Sequence, residues 1–125
     1  MEMILSLTKP GDVVLTDLDP TKGGEKGKRR PCLVLVGSGH PWKILTVVPI
    51  TDTNNGTRGK KLFVAIPHPD NDTGLSKESC IDCFQIRCLN ESRVLKKLGV
   101  VQRTTLDEAL TRISAILGIG EEHIS

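Results

Sequence analysis

The sequence predicts a mainly β, α+β domain: a compact, strongly twisted sheet or small barrel closed by a C-terminal helix. Three observations predict it. Short apolar, β-branched runs recur with glycine, proline or asparagine clusters between them, which is the pattern of strands and turns. One stripe at the helical period appears, and it lies at the end of the chain. At 125 residues, with 38% hydrophobic and 26% charged, the chain has ordinary globular composition and room for one core, so residues 1–125 are expected to form a single domain.

The elements follow in order. Lys9-Pro10-Gly11-Asp12 reads as a turn into a strand from Val13 to Leu18. Asp19-Pro20 breaks that strand, because the residue before proline avoids the helical region. Pro31 to Val36 is the second strand, with a turn at Gly37-Ser38-Gly39-His40-Pro41. Lys43 to Ile50 is the third, apolar almost throughout and so expected to be buried on both faces. Pro49 stands near its end, where a missing ladder donor is tolerated. Leu62 to Ile66 is a fourth strand, and Ser79 to Leu89 one or two more. Asn90 to Leu98 reads as a short helix, with Asn90 as cap, Val94, Leu95 and Leu98 on one face, and Gly99 as its stop. The last helix is expected to open on a capping box of Thr105 and Glu108. Leu106, Ala109, Leu110, Ile113, Ile116 and Leu117 then form a core-facing stripe that ends at Gly118.

The segment with the most functional content lies between the first two strands, Asp19-Pro20-Thr21-Lys22-Gly23-Gly24-Glu25-Lys26-Gly27-Lys28-Arg29-Arg30-Pro31. It is too long for a tight hairpin turn. Its glycines permit close approach to a ligand. Lys22, Lys26, Lys28, Arg29 and Arg30 set five cations against Glu25, which suits a phosphate-bearing partner; the plainer reading is a solvated basic loop. The net charge of +2 is too small to argue for nucleic acid by itself, and the concentration of cations here and at 58–61 carries that argument. Trp42, Phe63 and Phe84 are the three aromatics, few for a protein that binds single strands by stacking alone. No apolar run approaches the roughly twenty residues of a membrane span. The opening residues do not resemble a signal peptide, so a cytoplasmic setting with reduced cysteines is expected.

Read together, Gly11-Asp12-Val13-Val14, the gap-free loop from Asp19 to Pro31, and Val48-Pro49-Ile50-Thr51 resemble the MazF/PemK family of toxin endoribonucleases. Ser79, Gln85-Ile86-Arg87, Leu98-Gly99 and the final helix fall in the same family order, so the resemblance covers nearly the whole chain. It implies an SH3-like small barrel (CcdB/PemK-like) with a C-terminal helix, and a homodimer. It further implies metal-independent cleavage of single-stranded RNA, no cofactor, and silencing by a small antitoxin protein. Arg30 and Thr51 are implied as the catalytic pair.

Such cleavage uses the substrate's own 2'-hydroxyl as nucleophile, so the protein must hold a phosphate and neutralise its growing charge. Arg30 suits that task, because its planar fork grips phosphate oxygens bidentately and keeps its proton. A general-base role does not suit it, since guanidinium does not deprotonate near neutrality. Thr51 offers a hydroxyl to the same phosphate, or caps a turn. Lys22, Glu25, Lys28, Arg29, Phe84, Gln85 and Arg87 are the candidate RNA-binding residues. Glu25 is a proton acceptor or a local ion-pair partner. Gln85 reads a base edge or pairs with backbone, and Arg87 holds a flanking phosphate or is a surface cation. Family members usually place an acid immediately before that glutamine. Phe84 stands there in this chain, and it either stacks a base or belongs to the core.

Other constellations are weaker. Cys80 and Cys83 lie three apart, where strand side chains point to opposite faces, and no second pair accompanies them, so no zinc is expected. His40, His68 and His123 are far apart in sequence. Two rival functions remain open at this point: a non-catalytic RNA- or protein-binding member of the same fold, and a gyrase-poisoning toxin on a related one.

Overall fold

The computed structural model describes residues 8–18, 22–24, 28–38 and 42–119. The strands are β1 (Asp12–Asp17), β2 (Arg29–Val36), β3 (Ile44–Asp52), β4 (Phe63–Ala65), β5 (Ser79–Asp82), β6 (Arg87–Asn90) and β7 (Val94–Val100), followed by the helix α1 (Arg103–Ile116). Every pairing is antiparallel, and the order across the sheet is β4-β5-β3-β2-β1-β7, with β6 also on β3. The β3 strand is the pivot. Its first half pairs with β6, at Ile44↔Asn90 to Val47↔Arg87, and its last residues pair with β5, at Ile50↔Ile81 to Asp52↔Ser79. Register shifts in β1 against β7, and in β2 against β3, add local twist. The sheet therefore curls on itself but does not close into a barrel.

Curling explains why the central strands are apolar on consecutive residues. Val13, Leu33, Val48 and Ile50 enter a core cluster beneath the helix, with Val64, Ile81, Leu106, Ala109 and Ile113. Their neighbours Val14, Cys32, Val34 and Val47 enter a second cluster with Leu18, Leu45, Leu89 and Val94. Adjacent strand residues face opposite ways, so both faces of this part of the sheet are buried, as expected for β3.

Three expectations change. The segment from Asn90 to Leu98 is not a helix: Glu91–Arg93 form a single 3-10 turn capped by the Asn90 side chain, and β7 follows. Val94, Leu95 and Leu98 fit the helical period, but pairing of β7 with β1 overrides that local pattern. The final helix opens at Arg103 after Gln102, which makes no side-chain cap, so no Thr105–Glu108 box forms; Thr105 is buried in the first turn. Leu106, Ala109 and Ile113 of the stripe are buried, but Leu110 is 39% and Leu117 59% exposed. The helix is rotated so that its buried arc centres on Ala109, and those two leucines lie on the far edge of the stripe.

Candidate active site

Arg29 and Arg30 belong to β2 rather than to the loop before it. The β2–β3 register pairs Cys32 with Pro49. Carried two residues along, that register sets Arg30 level with Thr51, where side chains on neighbouring strands meet. They do meet: the Arg30 Nη1 donates to the Thr51 Oγ1 at 3.3 Å. The threonine oxygen accepts this bond, which leaves its own proton free to donate. Arg30 is half-buried, and its Nε, buried from solvent, has no hydrogen-bond partner among the described residues. A buried guanidinium donor left unpaired is costly in a folded chain, so this nitrogen is an open demand for an acceptor at the site.

Both side chains line a cleft of about 490 Å³. Arg29, Arg30, Pro31, Thr51 and Asp52 form one wall, and Gly74, Leu75, Ser76 and Lys77 form the other. The second wall is built with little slack. Asp70 caps a 3-10 turn at Asn71–Thr73, Thr73 donates to the Asp70 carbonyl and accepts from the Leu75 amide, and Gly74 turns in the left-handed region at φ 74°. A Cβ on Gly74 would strike the Leu98 carbonyl, and one on Gly99 would strike the carbonyl of Asp72, so this wall is pressed directly on β7. Pairing of Asp52 with Ser79 brings Lys77 beside the end of β3, with its Nζ 3.8 Å from the Asp52 Oδ2.

A second, shallower cleft of about 590 Å³ is lined by Gly24, Phe84, Gln85, Ile86, Arg87 and Cys88. Phe84 is 62% exposed and is not a core residue. The Gln85 Nε2 donates to the Gly24 carbonyl at 3.2 Å, joining this cleft to the basic loop. Arg87 opens β6 half-buried, and both its charge and that of Arg30 act on the Cys32 thiol. Burial still dominates there and pushes the thiol up to about 11.

The predicted residues thus divide. Arg29, Arg30 and Thr51 share the first cleft, and Phe84, Gln85 and Arg87 share the second. Lys22 and Lys28 are exposed and line neither cleft. Glu25 lies outside the described residues, as do Asp19 to Thr21, Lys26, Gly27, His40 and His123. Sequence reasoning missed Asp52, Ser76 and Lys77 as cleft residues. Asp52 directly follows Thr51, which is a signal, but nothing local marks Ser76 or Lys77 as part of a facing wall.

The family model for the PemK-like, MazF-like toxin of type II toxin–antitoxin systems matches residues 9–117, which take in both clefts and the whole of α1. The chain belongs to this family. Among the curated relatives of this MazF/PemK chain, the endoribonuclease PemK of Escherichia coli is 30% identical over 110 residues, 86% of this chain and 80% of the relative. MazF from Deinococcus radiodurans superposes with a TM-score of 0.75 at 23% identity, covering 90% of this chain and 97% of that one. A mycobacterial endoribonuclease crystallised with its cognate antitoxin superposes at 0.69, with 20% identity and coverage of 90% and 97%. The curled sheet with one C-terminal helix is therefore the MazF fold. Among the described residues no helix is long and apolar enough to cross a membrane.

Proposed function

We propose that this toxin endoribonuclease cuts single-stranded RNA at specific sequences without a metal ion, leaving 2',3'-cyclic phosphate and 5'-hydroxyl ends. The observation that carries the reading is the Arg30–Thr51 pair, set in a cleft with an unpartnered guanidinium donor. A scissile phosphate seated there accepts from Arg30 and from the Thr51 hydroxyl. As the ribose 2'-oxygen attacks, negative charge grows on the non-bridging oxygens, and a donor already aimed at them needs no reorganisation. One such preorganised donor is typically worth about 10²–10³ in rate. Arg29 adds positive charge beside it, and the second cleft holds the flanking nucleotides. There Phe84 stacks a base, Gln85 reads a base edge, and Arg87 holds a phosphate. Lys22 and Lys28 add positive charge for the flanking backbone, and Glu25 is kept as an RNA-binding residue from the sequence.

The family assignment and the relative solved with its cognate antitoxin support a small antitoxin protein as the partner. We further infer a cytoplasmic homodimer. Incubation of the purified protein with a long RNA in EDTA tests the activity. Fragments ending in 2',3'-cyclic phosphate are expected. Intact RNA that remains bound would instead make the chain a binding module, and trapped DNA cleavage complexes would make it a gyrase poison.

A further inference from the structure

The reaction needs a group that takes the proton of the 2'-hydroxyl, and neither Arg30 nor Thr51 is one. A guanidinium has no proton acceptor, and the Thr51 oxygen already accepts from Arg30. We infer that Asp52 is the catalytic base, its carboxylate held at the cleft by Lys77. This rests on the ribonuclease reading above.

Four observations lead there. Among the described residues that line the cleft of Arg30 and Thr51, Asp52 is the one carboxylate, and no histidine lines it. The nearby Glu78 is engaged otherwise: Arg58 grips it bidentately at 3.0 and 3.3 Å, and that hydrogen bond and charge hold its carboxyl below the usual range. Asp52 is also the last residue of β3, directly after Thr51, and is exposed at the cleft where Thr51 is half-buried. Finally, its ion pair has little structural value. Lys77 and Asp52 side chains are 74% and 64% exposed and 3.8 Å apart, and such pairs contribute little to stability.

Electrostatics permit a carboxylate here. Arg29, Arg30 and Lys77 in the same cleft outnumber it three to one. In the reaction, the 2'-oxygen forms a bond to phosphorus as Asp52 takes its proton, and the bond from phosphorus to the 5'-oxygen breaks. Solvent water protonates that oxygen, and Asp52 returns its proton to solvent, so no proton is gained or lost overall.

The test compares kcat and KM of wild type, Asp52→Asn, Asp52→Glu and Lys77→Gln on a long single-stranded RNA in EDTA. Asp52→Asn is expected to lower kcat by about 10²–10⁴ with KM nearly unchanged. Asp52→Glu recovers part of the rate. Lys77→Gln lowers kcat by less than Asp52→Asn, because the carboxylate is kept and only the ammonium beside it is lost. An Asp52→Asn enzyme with wild-type kcat overturns the inference, while loss of cleavage in Arg30→Ala would leave the ribonuclease reading standing. A wild-type protein that leaves RNA whole overturns both.

Discussion

The hydroxyl of Thr16, fully buried on β1, donates to the carbonyl oxygen of Arg30 at 2.9 Å, and its oxygen lies 3.3 Å from the Cys32 Sγ. The backbone of the arginine is thus gripped from the neighbouring strand at the point where β2 begins. Thr16→Val keeps the shape but leaves that carbonyl short of a donor. A loss of about 1–3 kcal/mol is expected in urea denaturation, with a lower kcat as the strand end loosens. Thr16→Ser should restore both. Wild-type stability in the valine variant would show that the bond carries no weight.

Arg30→Ala is expected to abolish growth arrest and to slow RNA cleavage by about 10²–10³, with the circular dichroism spectrum of the folded protein retained. Arg30→Lys keeps a charge but not the planar fork, so it should recover only a fraction of the rate. A toxic, fully active Arg30→Ala protein would remove the arginine from the chemistry.

Phe84 projects into solvent and fills no cavity, so Phe84→Ala should change stability by no more than about 0.5 kcal/mol. Its effect should appear in binding. Loss of one base–aromatic stack is worth about 1–3 kcal/mol, read as a rise in Kd for an uncleavable RNA. Unchanged affinity would dismiss the ring as a base platform.

Gly99→Ala tests the wall of the cleft. The added methyl group would collide with the Asp72 carbonyl and the Thr73 backbone, neither of which is a flexible side-chain end. Destabilisation of about 1–3 kcal/mol is expected, together with reduced cleavage because the segment from Gly74 to Lys77 shifts with it. Full activity in this variant would mean the wall is dispensable.

Cys32, Cys80 and Cys83 are buried and Cys88 is exposed, so iodoacetamide should add one label to the native protein and four after unfolding. Burial pushes the thiols of both Cys32 and Cys83 up to about 11, from 9.0. The folded state therefore keeps protons that the unfolded chain releases. Stability from this source is full below about pH 9 and is lost as pH rises towards 11. Urea midpoints at pH 8 and pH 10 measure it, and a midpoint that rises with pH would contradict the assignment.

Local pattern carried much of the fold. The runs around Val13, Leu33 and Val47 are continuous and β-branched, so their strands were legible without knowledge of their neighbours. Glycine, proline and cations mark the segment before β2 as a loop in the sequence, but most of it lies outside the described residues, and Arg29 and Arg30 belong to the strand. The strand from Val94 to Val100 was not, since Val94, Leu95 and Leu98 satisfy a helical period equally well. What decides between them is a partner, β1, some eighty residues earlier in the chain.

What the sequence determined alone is the strands other than β7 and the terminal helix, and its family order marks out Arg30 and Thr51 as the expected catalytic pair. Tertiary structure decided which residues face them. Only when β3 bends to pair with both β6 and β5 does the segment from Gly74 to Lys77 come opposite Arg30 and Thr51 and bring Lys77 to Asp52. Such meetings depend on the curl of the sheet and on two glycines that let backbones touch, and short-range periodicity holds no record of either.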